Sequence, residues 1–97
     1  MMQKLLMITE LTGFLKSLSD PTRLRIVEYL SRAGNPRCVS AISKHINVSQ
    51  SATSQHLRIL RQSNIVKSER RGYFIHYELN TEAMDEGLSQ LQELLKK

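Results

Sequence analysis

The sequence predicts a mainly α fold of the α+β class, with its elements in the order α-α-α-α-β-β-α. Three observations carry that expectation. Apolar residues recur at steps of three and four along most of the chain, the period of helices that bury one face. One stretch around residue 75 changes to a period of two, that of a strand. Between these segments stand Asn, Asp, Gly, Pro and Ser, where helix ends and tight turns require them.

The first helix is expected over residues 3–18, where Leu5, Ile8, Leu11, Leu15 and Leu18 form one apolar stripe. Gly13 weakens it by about 1 kcal/mol relative to Ala. The second helix opens on Asp20, which can accept from the free N–H groups of a first turn, and on Pro21, whose missing N–H costs nothing there. Leu24, Val27 and Leu30 make its inner face, widened by Ile26 and Tyr29. Gly34 closes it, and Asn35-Pro36 turns the chain.

Two short helices follow, at 39–46 and 50–62. Val39, Ile42 and Ile46 point inward on the first. Asn47 tolerates the left-handed backbone of a tight turn, Val48 anchors that turn, and Ser49 caps the second helix. The second helix buries Thr53, Leu57 and Leu60, leaving Gln50, Ser51, Ser54, Gln55, Arg58 and Arg61 on polar faces.

Residues 65–79 read as a hairpin: Ile75, Tyr77 and Leu79 alternate with His76 and Glu78, and Gly72 makes the turn, with Arg70, Arg71 and Tyr73 at the tip. The last helix, 81–96, is expected to start with Thr81 as its cap. Glu82, Asp85 and Glu86 then complement the helix dipole, and Lys96 and Lys97 close it. Met84, Leu88, Leu91 and Leu95 step by four, three and four, a short heptad-like seam.

A chain of 97 residues is the size of one domain, here taken as 1–97, with a thin core of its own. No apolar run approaches the ~18 residues of a membrane span. The first residues, with Thr9 and Glu10 breaking the run and no small-residue cleavage site, read as an amphipathic helix and not a leader. One cysteine excludes an internal disulfide, and the cytoplasm is the expected compartment. Charge is concentrated in the middle. Residues 37–77 hold seven basic side chains and one acidic, a local charge of +6, whereas residues 78–97 sum to −3. A basic centre of this kind suits a polyanion, or is simply a solvated face.

The arrangement of two short helices with a polar, basic second member has a specific physical use. The major groove of B-DNA, about 12 Å wide, admits one helix, which the preceding helix braces. Ser49, Gln50, Ser51, Ser54 and Gln55 can donate to and accept from base edges and backbone, and Arg58 and Arg61 can pair with guanine or phosphate. His56, in the same helix, reads as a packing or phosphate-contacting residue, and Arg70, Arg71 and Tyr73 suit the adjacent backbone or minor groove. Catalysis has no such support: there is no nucleophile–base–orienter set and no glycine-rich phosphate loop.

These residues also resemble a known family. LSDPTRLRIVEYL at 18–30, ISKHINVSQSATSQHLRILRQSNIV at 42–66 and RRGYFIHYEL at 70–79 stand in the order and spacing of the ArsR/SmtB-type winged helix-turn-helix repressors. Where such sequences usually have glycine, this chain has Asn47 and Asn64. The resemblance implies a homodimer joined through the first and last helices, by Leu5, Ile8, Leu11, Leu15, Met84, Leu88, Leu91 and Leu95. It also implies a palindromic double-stranded DNA operator, repressed until a signal releases the protein. The two apolar stripes fit that dimer, although by themselves such stripes more often belong to a chain's own core.

Many such relatives sense metals. The family's Cys-Val-Cys-Asp run corresponds to Cys38, Val39, Ser40 and Ala41 here, so one thiol remains where soft metalloids require two or three. The family's site on the last helix uses carboxylates and histidines. Glu82, Asp85, Glu86 and Glu93 are present there without a histidine, and His45, His56 and His76 lie elsewhere. Neither metal site is expected to be intact, no cofactor is implied, and the inducer is not named by the sequence. Two alternatives stay open: Cys38 as a thiol or metalloid sensor on the same fold, and the fold as a protein-interaction module. Scarce aromatic residues, 5% of the chain, weigh against the second.

Overall fold

In the computed structural model, which describes residues 1–96, the second helix starts on Asp20-Pro21 and stops at Gly34, and the third and fourth meet at Asn47 and Ser49, as the sequence predicts. The elements are α1 (Met2–Leu18), α2 (Pro21–Ala33), β1 (Arg37–Cys38), α3 (Val39–Ile46), α4 (Gln50–Gln62), β2 (Val66–Arg71), β3 (Phe74–Leu79) and α5 (Thr81–Leu94). Lys97, expected to close the last helix, lies outside the described residues.

The α2 start is well determined chemically. Asp20, in extended conformation, accepts from the Arg23 amide at 3.0 Å, and Pro21 occupies the first helical position. That amide, aided by the nearby Arg23 charge, holds the Asp20 carboxyl below its ordinary value of 3.8. Because the native value is the lower one, the stabilisation is complete above the ordinary value and is lost as pH falls through the native one. Asp20→Ala should therefore cost about 1 kcal/mol at neutral pH, and its deficit should shrink in acid. Thermal melts from pH 7 to pH 2 check this, and a deficit independent of pH would assign the effect to something other than the carboxylate.

The turn between α3 and α4 is built from the two residues read for it. Asn47 has φ 55° and Ser49 Oγ accepts from the Ala52 amide at 3.1 Å. Arg25 donates to the Ile46 carbonyl at 2.8 Å, tying α2 to the last turn of α3. Asn64, φ 61°, makes the corresponding turn out of α4, and the Ile65 amide returns to the Leu60 carbonyl at 2.9 Å. The hairpin is thereby fixed in direction relative to α4.

Behind these helices lies one core of Ile26, Leu30, Ile42, Ile46, Leu57, Leu60, Ile65 and Val66, with Phe14, Leu18, Val27, Tyr77, Leu79 and Met84 packed against it. Gly87 of α5 meets the Phe14 ring so closely that an added Cβ would lie 2.4 Å from it, which brings α5 close against α1.

Five details differ from the expectation. A third strand, β1, pairs antiparallel with β3 (Arg37 opposite Tyr77, Cys38 opposite His76), giving the sheet order β1-β3-β2. Two residues are too few to show a period. Asn80, not Thr81, caps α5, accepting from the Ala83 amide at 3.2 Å, and the helix ends at Leu94 rather than near 96. Leu24 is exposed, so Ile26 and Leu30 form the buried face of α2. The α1 stripe divides: Leu11 is 3% exposed and lies in the chain's own interior, whereas Leu5, Ile8 and Leu15 are exposed.

Candidate nucleic-acid interface

α4 buries Thr53, Leu57 and Leu60, the three residues expected inside, and this decides what faces outward. Thr53 satisfies its buried hydroxyl on the Ser49 carbonyl at 2.8 Å. Ser51, Ser54, Gln55 and Arg58, separated by three and four residues, fall on one exposed side of the helix, with Gln50 and Arg61 along its edge. Ser49 is exposed at the N-terminus while its hydroxyl serves as the cap. Among the described residues Arg58 and Arg61 enter no ion pair, which leaves their charges available.

His56 does not share this side. Its Nδ1 lies 3.4 Å from Arg23 and 3.9 Å from the Asp20 carboxylate, so the ring is turned toward the α1–α2 corner. Of the α4 residues read as DNA-contacting, it is the one that the fold directs elsewhere.

The hairpin carries Arg70, Arg71 and Tyr73 to its tip, all exposed, with Gly72 in the left-handed conformation at the turn. Tyr73 is 95% exposed and Phe74, opposite Arg71 in register, is 64% exposed. Phe74 was not among the residues read from the sequence. Strand alternation carried the signal, since Ile75 and Tyr77 on one face place Phe74 and His76 on the other.

Arg71 is held by its own strand, donating from Nε to Glu69 at 2.7 Å. A carboxylate at the tip opposes a phosphate and competes for the guanidinium. Glu69→Gln is thus expected to tighten DNA binding roughly two- to fivefold, the scale of an exposed ion pair, and to steepen its salt dependence. Weaker binding in that variant would mean that Glu69 is needed to present Arg71.

Cys38 is a free, partly exposed thiol at the N-cap of α3, opposite His76 across the strand pair. Among the described residues no three His, Cys, Asp or Glu side chains stand close enough together to hold a metal, and no helix is long and apolar enough to cross a membrane.

The end helices pack against each other while leaving apolar side chains uncovered. Leu5, Ile8 and Leu15 of α1 are exposed, as are Leu88 (52%) and Leu95 (73%) in and just beyond α5. Met84 and Leu91 are half-buried, Met84 packing on the core, and Leu11 is enclosed within the chain. Five of the eight residues read as an interface with a second copy are therefore open to one.

Comparison with known proteins gives a consistent result. A family model described as bacterial regulatory protein, arsR family, matches residues 20–68. The chain is 34% identical over 82 residues to the transcriptional repressor SdpR of Bacillus subtilis, covering 84% of this chain and 89% of that protein. Its fold resembles an ArsR-like transcriptional regulator from Rhodococcus sp. RHA1, with TM-score 0.81, 26% identity and coverage of 90% and 80% of the two chains. It also resembles the homodimeric winged helix-turn-helix DNA-binding domain of Mb0332 from Mycobacterium bovis, with TM-score 0.76, 25% identity and coverage of 94% and 84%.

Proposed function

The chain belongs to the arsR family of bacterial regulatory proteins, and from that premise we propose that it is a sequence-specific transcriptional repressor. It acts in the cytoplasm as a homodimer on a palindromic double-stranded operator, its 97 residues working as one DNA-binding unit. The reading rests above all on α4. With Thr53, Leu57 and Leu60 locked inside, Ser51, Ser54, Gln55 and the unpaired Arg58 form an exposed face of hydrogen-bonding side chains. The hairpin supplies a second contact through Arg70, Arg71 and Tyr73. Neither metal site of the family is complete in this chain, so release from DNA follows a signal of another kind or the protein's own concentration.

The uncovered Leu5, Ile8, Leu15, Leu88 and Leu95 support the dimer in this reading. A second copy burying them would present two α4 helices to one duplex. Selection of random double-stranded DNA on the purified protein, followed by sequencing, tests the reading. The retained pool should contain an inverted repeat whose half-sites lie about one helical turn, or a multiple of it, apart. A pool without a motif would reduce the interaction to charge alone. No retention even at low salt would return the fold to a protein-interaction role.

A further inference from the structure

One cluster of polar side chains has no place in the DNA-contacting face, and it joins the two ends of the proposed machinery. Arg23, in the first turn of α2, makes three different contacts. Its amide donates to Asp20 Oδ2 at 3.0 Å, its Nε donates to the Ser17 carbonyl at 2.7 Å, and a terminal guanidinium nitrogen lies 3.4 Å from His56 Nδ1. Ser17, in the last turn of α1, is buried, and its hydroxyl is hydrogen-bonded to the hydroxyl of Ser63, the C-cap of α4. A guanidinium can only donate, so His56 Nδ1 serves as its acceptor in the form of the ring that carries no proton on that nitrogen. Asp20, 3.9 Å from that Nδ1, is too distant for a hydrogen bond.

α4 is therefore attached to the end of α1 at two points, midway through Arg23 and His56, and at its C-terminus through Ser17 and Ser63. Further along, α1 carries the exposed Leu5 and Ile8. We infer that Arg23, acting through His56 and Ser17, is a positioning residue that sets the angle between the DNA-reading helix and the dimerising helix, and hence the half-site spacing the dimer accepts. The inference rests on the DNA-reading role proposed for α4. Arg23 touches no DNA in this scheme: its charge is used inside the corner, where a fixed fork of donors holds three elements in one geometry.

Four variants test it: Arg23→Met, His56→Phe, His56→Gln and the Arg23→Met/His56→Phe pair. Arg23→Met is expected to weaken binding to the selected operator roughly tenfold, to leave the slope of affinity against salt unchanged, and to flatten the preference among half-site spacings. His56→Gln keeps an acceptor for Arg23 and should stay near the parent, whereas His56→Phe should match Arg23→Met. The pair should be no worse than either alone. A salt slope reduced by about one, the signature of a lost phosphate contact, would overturn the inference, as would additive losses or an unaltered spacing preference. Hydrogen exchange of the free protein reads the same coupling without DNA. Amides of α4 should exchange at least tenfold faster in Arg23→Met, while those of α3 hold their parental rates. Equal acceleration of both helices would mark a general loss of stability and reject a positioning role. If the parent retained no DNA but the exchange result held, the coupling would stand and the DNA-reading proposal would fall.

Discussion

Leu88→Glu is expected to leave the protein folded but monomeric, and to weaken binding to a palindromic operator by about a hundredfold. Leu88 is 52% exposed, so the chain's own core does not depend on it, and glutamate is a good helix former at an exposed position. A second copy, by contrast, would have to bury the new carboxylate against the apolar side chains of α1 and α5. Once dimerisation fails, the two half-sites must be found independently, and the effective concentration that links them is lost. Sedimentation at micromolar protein gives the first readout. Titration against the full palindrome and a single half-site gives the second. The parent should prefer the palindrome strongly, whereas the variant should bind both alike. Ile8→Glu should behave in the same way. Leu11→Ala is the contrasting control: this residue is 3% exposed within one chain, so its truncation should reduce stability by about 2–5 kcal/mol. A Leu88→Glu protein that still sediments as a dimer would displace the interface from these helices.

The contrast between Leu11 and Leu88 also shows what periodicity conveys. Spacing by three and four identifies a helix and its apolar side, but not whether the chain itself or another copy covers that side. Hence the α1 stripe was legible as a stripe, and its division into inner and outer residues was not. Local chemistry was read more completely. The end of α3 and the start of α4 follow from Asn47 and Ser49, because a left-handed turn and a side-chain cap each depend on a few consecutive residues. The α5 cap falls one residue before Thr81, since Asn80 and Thr81 are both good caps and the sequence does not rank them in context. β1 escaped since its only evidence is pairing with β3, far along the chain.

The corner of Arg23, His56, Ser17 and Ser63 lay beyond sequence reading for the same reason. Its decisive contacts join residues 33 and 46 positions apart, and no local pattern distinguishes a bridging arginine from a solvated one. His56 looked like its neighbours in a polar helix. Its position relative to Thr53 and Leu57 directs it toward α2, and that became evident only when α2 was in place.

On the face that remains, charge and hydrogen bonding make separable predictions. Arg58→Ala is expected to weaken operator binding roughly tenfold or more, since a well-placed arginine contact contributes about 1–3 kcal/mol. Arg58 is exposed and enters no ion pair among the described residues, so its removal leaves no buried partner unsatisfied and should cost little stability. Because one fewer counterion is released, the salt slope should fall by about one. Gln55→Ala, on the same side of α4, should act differently. It carries no charge, so the slope should hold, while the preference at one operator position relaxes. Measuring both variants against the selected operator and single-position mutants of it, at several salt concentrations, resolves the two effects. A uniform loss across all sequences for Gln55→Ala would remove it from base reading. An unchanged slope for Arg58→Ala, with the protein folded, would remove this side of α4 from the phosphate backbone and transfer the main electrostatic contact to the hairpin, where Arg70 and the Glu69-bound Arg71 project.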